Sequence, residues 1–171
     1  MSASAALPTG VEKLMLVREI EEYLIREVAL LDQADLAAWR ELFSDDGHYW
    51  APARPDQASP HDEISLFFDD KSIMAARVAR LDQPNSHGAP LARTNHLVSN
   101  VLLEGIDPAS GDLAVSARFT MVEYRLEIEP RLFSGSYHYR LRRADGRFKI
   151  AMKKAVLVNC DGAFYPLMLP F

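Results

Sequence analysis

The spacing of apolar residues changes once along this chain. Up to about residue 81 they recur at every third or fourth position, and after residue 90 at every second. Side chains three or four apart share a helix face and side chains two apart share a strand face. Helices therefore come first and a sheet follows. The most informative stretch is Leu113, Val115, Ala117, Phe119 and Met121, alternating with Ala114, Ser116, Arg118 and Thr120; Val122, Tyr124, Leu126 and Ile128 then take over the apolar role. A strand has a side-chain period of two, so this change of phase predicts a bulge or sharp bend near Met121 and a strongly curved sheet. Three further strands are expected. Residues 93–103 are apolar at both parities, which predicts a central strand. Phe133, Tyr137, Tyr139 and Leu141 mark the next, and Asp145-Gly146 predicts a tight hairpin into Phe148-Ile150-Met152.

The first half supplies the helices. Thr9-Gly10-Val11-Glu12 has capping-box spacing, and Val17, Ile20, Leu24, Val28 and Leu31 form one apolar stripe behind it. A short helix is expected from about Asp35, burying Leu36, Trp39, Leu42 and Phe43 and stopping at the turn-like Asp45-Asp46-Gly47. His48–Pro52 has strand propensity. A third helix over about 70–81 is capped by Asp69 or Asp70, is apolar at Met74, Val78 and Leu81, and ends at Asp82-Gln83-Pro84-Asn85. Helices gathered on one concave face of a bent antiparallel sheet make an α+β, cone-shaped fold. Residues 1–171 are expected to form one such domain, with a flexible stretch over 1–10. The apolar tail over 162–171 should dock on its own body or on a neighbour.

Size and composition narrow the function classes. A chain of 171 residues and 19.2 kDa should bury about 70% of its extended surface in one core. One cysteine, Cys160, excludes an internal disulfide, a Cys-rich zinc site and an iron–sulfur cluster held by this chain alone. Its neighbour Asp161 would raise the thiol pKa, so a small buried residue is expected there and not a nucleophile. The N-terminus lacks the features of a secretory signal and no long apolar run occurs, so a cytoplasmic protein is expected. Residues 1–70 carry a net charge of −10 and residues 71–171 one of +5, so the halves should attract. Seven basic residues fall between Arg140 and Lys154. They alternate along a strand in an acidic protein, which argues for a solvated face or an acidic partner and against nucleic acid.

No motif announces catalysis. His48, His61, His87, His96 and His138 lack the short spacing of a metal site, and no Gly-rich phosphate loop occurs. A cone-shaped cavity can nonetheless remove a proton from a carbon acid with a Tyr beside an Asp or His. Asp35, Asp45, Asp46, Tyr49, Tyr124, His96 and Tyr137 are the candidates for such a dehydratase or isomerase site.

A resemblance favours a different function. Leu30-Leu31-Asp32, Trp39-x-x-Leu42-Phe43-x-Asp45-Asp46-Gly47-x-Tyr49-Trp50-Ala51-Pro52, Phe68-Asp69-Asp70 and Arg77-Val78-x-Arg80-Leu81 are followed by Pro90-x-x-Arg93-Thr94-x-His96-x-x-x-Asn100-Val101. Tyr137-x-Tyr139-x-Leu141-Arg142 and Lys149-Ile150-x-x-Lys153-Lys154 close the set. In this order they resemble the small (beta) subunits of aromatic-ring-hydroxylating dioxygenases over about residues 17–161. The resemblance implies a nuclear-transport-factor-2 or cystatin type of fold and a subunit with no cofactor of its own. It also implies an alpha subunit carrying a Rieske [2Fe-2S] cluster and mononuclear Fe(II), an α3β3 hexamer with the beta subunits in contact, and electrons from a reductase or ferredoxin. The alpha subunit would insert O2 to give a cis-dihydrodiol. No catalytic, cofactor or metal residue is carried over. Tyr49, Trp50, Arg93, Arg142, Lys153 and Phe171 are the expected subunit-interface residues, the aromatic groups as exposed anchors and the cations as charged contacts.

Overall fold

The computed structural model describes residues 7–81, 92–126, 128–164, 167 and 169–171. Helix α1 (Gly10–Asp32) starts behind Thr9 as expected, but the Thr9 side chain makes no capping hydrogen bond, so the capping box does not form. Ile20, Leu24, Val28 and Leu31 face the core, with Val17 half-buried. Glu27 is buried on the same face. Helix α2 (Leu36–Glu41) is capped by Asp35, whose Oδ1 accepts from the Ala38 amide at 3.0 Å. Strand β1 (Phe43–Pro52) follows at once, so Asp45-Asp46-Gly47 lies inside a strand and not in a turn. Gly47 explains the difference, because a Cβ there would stand 2.5 Å from the Ile150 carbonyl oxygen. The glycine permits close approach of two strands, and the pairing shifts register between Phe43 and His48.

Strand β2 (Ser65–Asp70), which the Pro-rich context hides in the sequence, pairs antiparallel with β1. Helix α3 (Lys71–Leu81) is capped by Asp70, whose Oδ1 accepts from the Ser72 and Ile73 amides at 2.9 and 2.8 Å. The stop expected at 82–85 lies outside the described residues. Strands β3 (Arg93–Ile106), β4 (Leu113–Tyr124), β5 (Arg131–Ala144) and β6 (Arg147–Leu157) complete a six-stranded sheet in the order β2-β1-β6-β5-β4-β3. β1 and β6 run parallel and the other neighbours antiparallel. The expected Asp145-Gly146 hairpin forms, with φ of 51° and 74° as a type I′ turn requires.

Two expectations about the sheet are corrected. β3 is an edge strand and not a central one. Its outward apolar residues, Leu97 before the irregularity at Ser99–Leu102 and Leu102 after it, point to solvent. β4 has no bulge: it pairs with β5 without interruption from Leu113 to Glu123, and its buried residues keep one parity through Glu123. Glu123 holds the inward position after Met121, and its Oε1 accepts from Arg131 Nε and Nη2 at 3.1 and 2.5 Å. The change of apolar phase is therefore a change in what faces outward. The irregularities lie elsewhere, between Ser99 and Leu102 and between Leu103 and Gly105 in β3, where Asn100 has φ of 53°. Another falls opposite Arg140/Leu141 in β6. There Ile150 and Ala151 are both buried, Met152 moves outward, and Lys153, Ala155 and Leu157 turn in.

The helices cover the inner face of the sheet and share one apolar core with it. The chain end joins that core. Phe171 packs on Phe67 and Phe133, and its backbone N–H donates to the Tyr49 hydroxyl at 2.9 Å. Packing is tight along β5, where a Cβ on Gly135 would stand 2.0 Å from the Val156 carbonyl oxygen and 3.0 Å from the Phe119 ring. Gly135→Ala is expected to force β5 from β6 at a cost of about 1–3 kcal/mol. A lower urea midpoint at unchanged slope would register that cost.

Candidate functional site

The interior carries a polar cluster built by four elements. α1 supplies Glu27, α2 supplies Trp39, β5 supplies Tyr139 and β6 supplies Lys153. Glu27 Oε1 accepts from Trp39 Nε1 at 2.5 Å and from Lys153 Nζ at 2.7 Å, while Oε2 accepts from the Tyr139 hydroxyl at 3.1 Å. Both ionic side chains are 0% exposed. The ammonium also sits 4.3 Å from the centre of the Tyr137 ring. Burial pushes the Lys153 pKa below its ordinary value, and Glu27 opposes that shift. The pair is held by core side chains on every side that the hydrogen bonds report. Its chemistry is structural.

A second cluster ties the end of α1 to β3. Asp32 Oδ1 accepts from Thr94 Oγ1 at 2.9 Å and from His96 Nδ1 at 2.6 Å, and Oδ2 accepts from the His96 amide at 2.9 Å. Burial holds the His96 pKa below the ordinary imidazole value of 6.5, the Lys153 charge adds to that, and Asp32 works against it. The native state therefore resists protonation that the unfolded chain accepts. Stability is full above about pH 6.5 and falls as the pH drops toward the depressed native value. His138, whose pKa is lowered by partial desolvation of its ring and by the Lys154 and Arg118 charges, acts in the same direction. Urea midpoints at pH 7.5 and 5.5 are expected to show the loss, and a His96 NMR titration to place its midpoint below 6.5.

The candidates for a carbon-acid site do not converge. Asp35 caps α2, Asp45 is exposed near Lys71, and Asp46 pairs with Arg142 at 2.9 Å. Tyr49 receives the Phe171 amide, Tyr124 lies under the Arg93 guanidinium at 5.0 Å, and Tyr137 stacks on Phe119 at 4.1 Å. Of these candidates His96, Tyr49 and Tyr137 have fully buried side chains. Among the described residues no three His, Cys, Asp or Glu side chains gather as metal ligands. His48 stacks on Phe68, His61 meets the same ring edge-on, and His138 is exposed; His87 lies outside the described residues. Cys160 is buried, and burial followed by the Asp161 charge raises its pKa.

Most of the expected interface residues are used inside the chain. Tyr49, Lys153 and Phe171 are core side chains, so none of them offers surface to a neighbour. Trp50 is buried too, donating to Ser65 Oγ at 3.0 Å beneath the Lys154 ammonium. Arg142 is held by Asp112 and Asp46. The opposite charges of the two halves pair within the chain, as Arg142–Asp46, Arg143–Glu19 and Lys153–Glu27 show. Arg93 alone of the six is exposed. Sequence reasoning missed Glu27, although its signal is visible: a charge on the inward face of α1, between Leu24 and Val28.

The outer face of the sheet shows an unspent apolar surface at the end where β3, β4 and β5 meet. Val122 and Leu132 are directly paired across β4 and β5, with Leu97 nearby on β3, and they are 43%, 69% and 66% exposed. Leu126 and Ile128, after β4, and Val158, after β6, are exposed as well. Arg93 sits at the rim over Tyr124. Contiguous apolar surface of this kind on a folded chain marks a contact with another molecule.

Comparison with known proteins agrees with this picture. Residues 26–161 match the family model described as ring hydroxylating beta subunit. The small oxygenase component of the p-cumate 2,3-dioxygenase system of Pseudomonas putida is 36% identical over 143 residues, 81% of this chain and 77% of that protein. The beta subunit of benzene 1,2-dioxygenase from Pseudomonas putida is 30% identical over 155 residues, 84% of this chain and 82% of its own. In fold, the chain is similar to the benzoate 1,2-dioxygenase beta subunit of Burkholderia mallei, with a TM-score of 0.67 at 24% identity over 90% of this chain and 94% of that one. A chain of naphthalene 1,2-dioxygenase with indole bound gives a TM-score of 0.79 at 18% identity, covering 92% and 86%. The fold is α+β and of the nuclear-transport-factor-2 type, and the chain belongs to the family of ring-hydroxylating dioxygenase beta subunits.

Proposed function

We propose that this chain is the structural small subunit of a multicomponent aromatic-ring-hydroxylating dioxygenase and performs none of its chemistry. Its relatives are named as small components or beta subunits of such oxygenases, and a small subunit implies a larger one. The observation that carries the reading is the exposed apolar end of the sheet around Val122, Leu132 and Leu97. Its occupant is the larger oxygenase subunit, with Arg93 as a charged contact at the rim. The interior supports the same reading, because its acid and base, Glu27 and Lys153, are bonded to each other and to core residues.

The Rieske [2Fe-2S] cluster and mononuclear Fe(II) belong to that larger subunit. A Rieske centre takes two Cys and two His, and this chain has one cysteine. The larger subunit would receive electrons from a reductase or ferredoxin and add both atoms of O2 to an aromatic ring, giving a cis-dihydrodiol in the cytoplasm. This chain contributes assembly, as three copies in contact within a hexamer of three large and three small subunits. Co-expression with the larger oxygenase chain tests the reading. The two are expected to elute together in size-exclusion chromatography at the mass of a hetero-oligomer, and separate elution at every ratio would refute it.

A further inference from the structure

The outer face of the sheet carries, beside its apolar end, an open cavity of about 440 Å³ whose lining includes Ser99, Arg118, Thr120, Ser134, Ser136 and Val158. The pairing register sets these groups side by side. Ser99, Arg118 and Ser136 stand in one row across β3, β4 and β5, and Thr120 and Ser134 form the next row on the same face. One further step reaches Val122 and Leu132. The cavity and the apolar surface are therefore continuous.

The hydrogen bonds inside the cavity decide what it offers. Ser134 Oγ donates to the Phe119 carbonyl at 3.0 Å, so at its 3.4 Å contact with Thr120 it is the acceptor. The protons of those two hydroxyls are spent. Arg118 Nη1 donates to Ser136 Oγ, which leaves the Ser136 proton free to donate outward and the guanidinium with its other N–H groups. Among the described residues Arg118 reaches no carboxylate, whereas Arg142 and Arg143 on β5 are both paired. Lys154 lies on the same face, opposite His138, and its ammonium is bonded to the neutral Gln57 carbonyl at 3.2 Å. Glu104 is the carboxylate on that side, and it accepts from Ser116.

Docking on the apolar end would bury the Arg118 charge. Arg118 and Val122 are four residues apart on β4, about 13 Å. A standard contact of about 800 Å² per partner is roughly 30 Å across, so one centred on Val122 and Leu132 covers Arg118. A guanidinium taken out of water without a counter-charge opposes association. A carboxylate removes that cost, because it meets the guanidinium fork with two parallel hydrogen bonds and cancels the charge. A neutral hydroxyl or amide would do only the first.

We propose that this cavity is the socket for an aspartate or glutamate side chain of the larger oxygenase subunit, held by the Arg118 guanidinium and the Ser136 hydroxyl. The inference rests on the reading that the larger subunit covers this end of the sheet, and it adds the chemistry of the partner's surface: an acidic residue beside the apolar groups that meet Leu132.

Binding kinetics of the full chain with the larger oxygenase chain test it. Arg118→Glu is expected to raise the dissociation rate at least about 30-fold. Arg118→Lys keeps the charge and loses the fork, and should raise it about 3–10-fold. Both should leave the urea midpoint of the isolated chain unchanged, since Arg118 is exposed. A loss confined to the association rate would mark a rim charge and overturn the socket. Unchanged dissociation in Arg118→Glu would overturn it too, and Leu132→Asp in the same series tells which claim failed. Weak binding there leaves the docking surface standing without the socket, whereas full binding there, or no binding by the unmodified chain, removes both. Saturation of the isolated chain by acetate or benzoate below about 1 mM, read from NMR shifts of the Ser136 amide and lost in Arg118→Gln, would assign the cavity to a free small acid and overturn the proposal.

Discussion

Lys153→Met is expected to destabilise the chain by about 3–5 kcal/mol, because it leaves the Glu27 carboxylate charged, buried and short of its counter-ion. The side chains are of similar length, so the loss is electrostatic and not a cavity effect. Glu27 would keep its bonds from Trp39 and Tyr139, which meet part of its demand but supply no full charge. Glu27→Leu alone should cost a comparable amount by stranding the ammonium between the Tyr137, Tyr139 and Trp39 rings. The double variant is the informative one. With both charges gone, the desolvation penalty disappears from both sides, and the combined loss is expected to be smaller than either single loss. Urea denaturation of the four proteins closes the cycle. Losses that simply add would show that the two charges do not depend on each other.

Leu132→Asp is expected to weaken association with the larger oxygenase subunit by about 30-fold or more, corresponding to about 2 kcal/mol at a buried contact. Leu132 is exposed on the free chain and faces Val122 across the strand pair. The substitution should therefore change the stability of the isolated chain by no more than about 0.5 kcal/mol. That separation is the point of the measurement. A carboxylate at this position must be desolvated on docking, beside apolar groups that give it no donor. Titration of the labelled chain with its partner would read the affinity, and urea denaturation the stability. Unchanged affinity would move the contact to another surface.

The order of elements was legible in the sequence because it rests on side-chain period, which a single chain displays directly. Helices α1 and α3, strand β5 and the Asp145-Gly146 hairpin follow from spacing alone. What could not be read was the direction in which each strand face points. The flip at Val122 looked like a bulge because an inward Glu123 is costly until Arg131 is placed beside it, and Arg131 lies on the next strand. Lys153 looked like a surface cation because the irregularity near Ala151 that turns it inward leaves no local sequence mark. β2 and its place beside β1 depend on Phe67 and Asp69 meeting Arg77 and Tyr49, contacts of the folded chain only. Burial of the three aromatic candidates has one shared reason. Tyr49, Trp50 and Phe171 were read as exposed aromatics because turns and chain ends are usually polar, whereas here the chain end is itself part of the core. The same change of phase that misplaced the bulge is what marks the outward apolar surface.

The most direct measurement is of iron content and aromatic oxidation in the separated subunits and in the reassembled complex, with the same reductase supplied throughout. The small subunit alone is expected to hold no stoichiometric iron and to turn over no substrate, with both properties following the larger subunit and turnover depending on assembly. Oxygenation of an aromatic substrate by the purified small subunit alone would contradict its role as a scaffold.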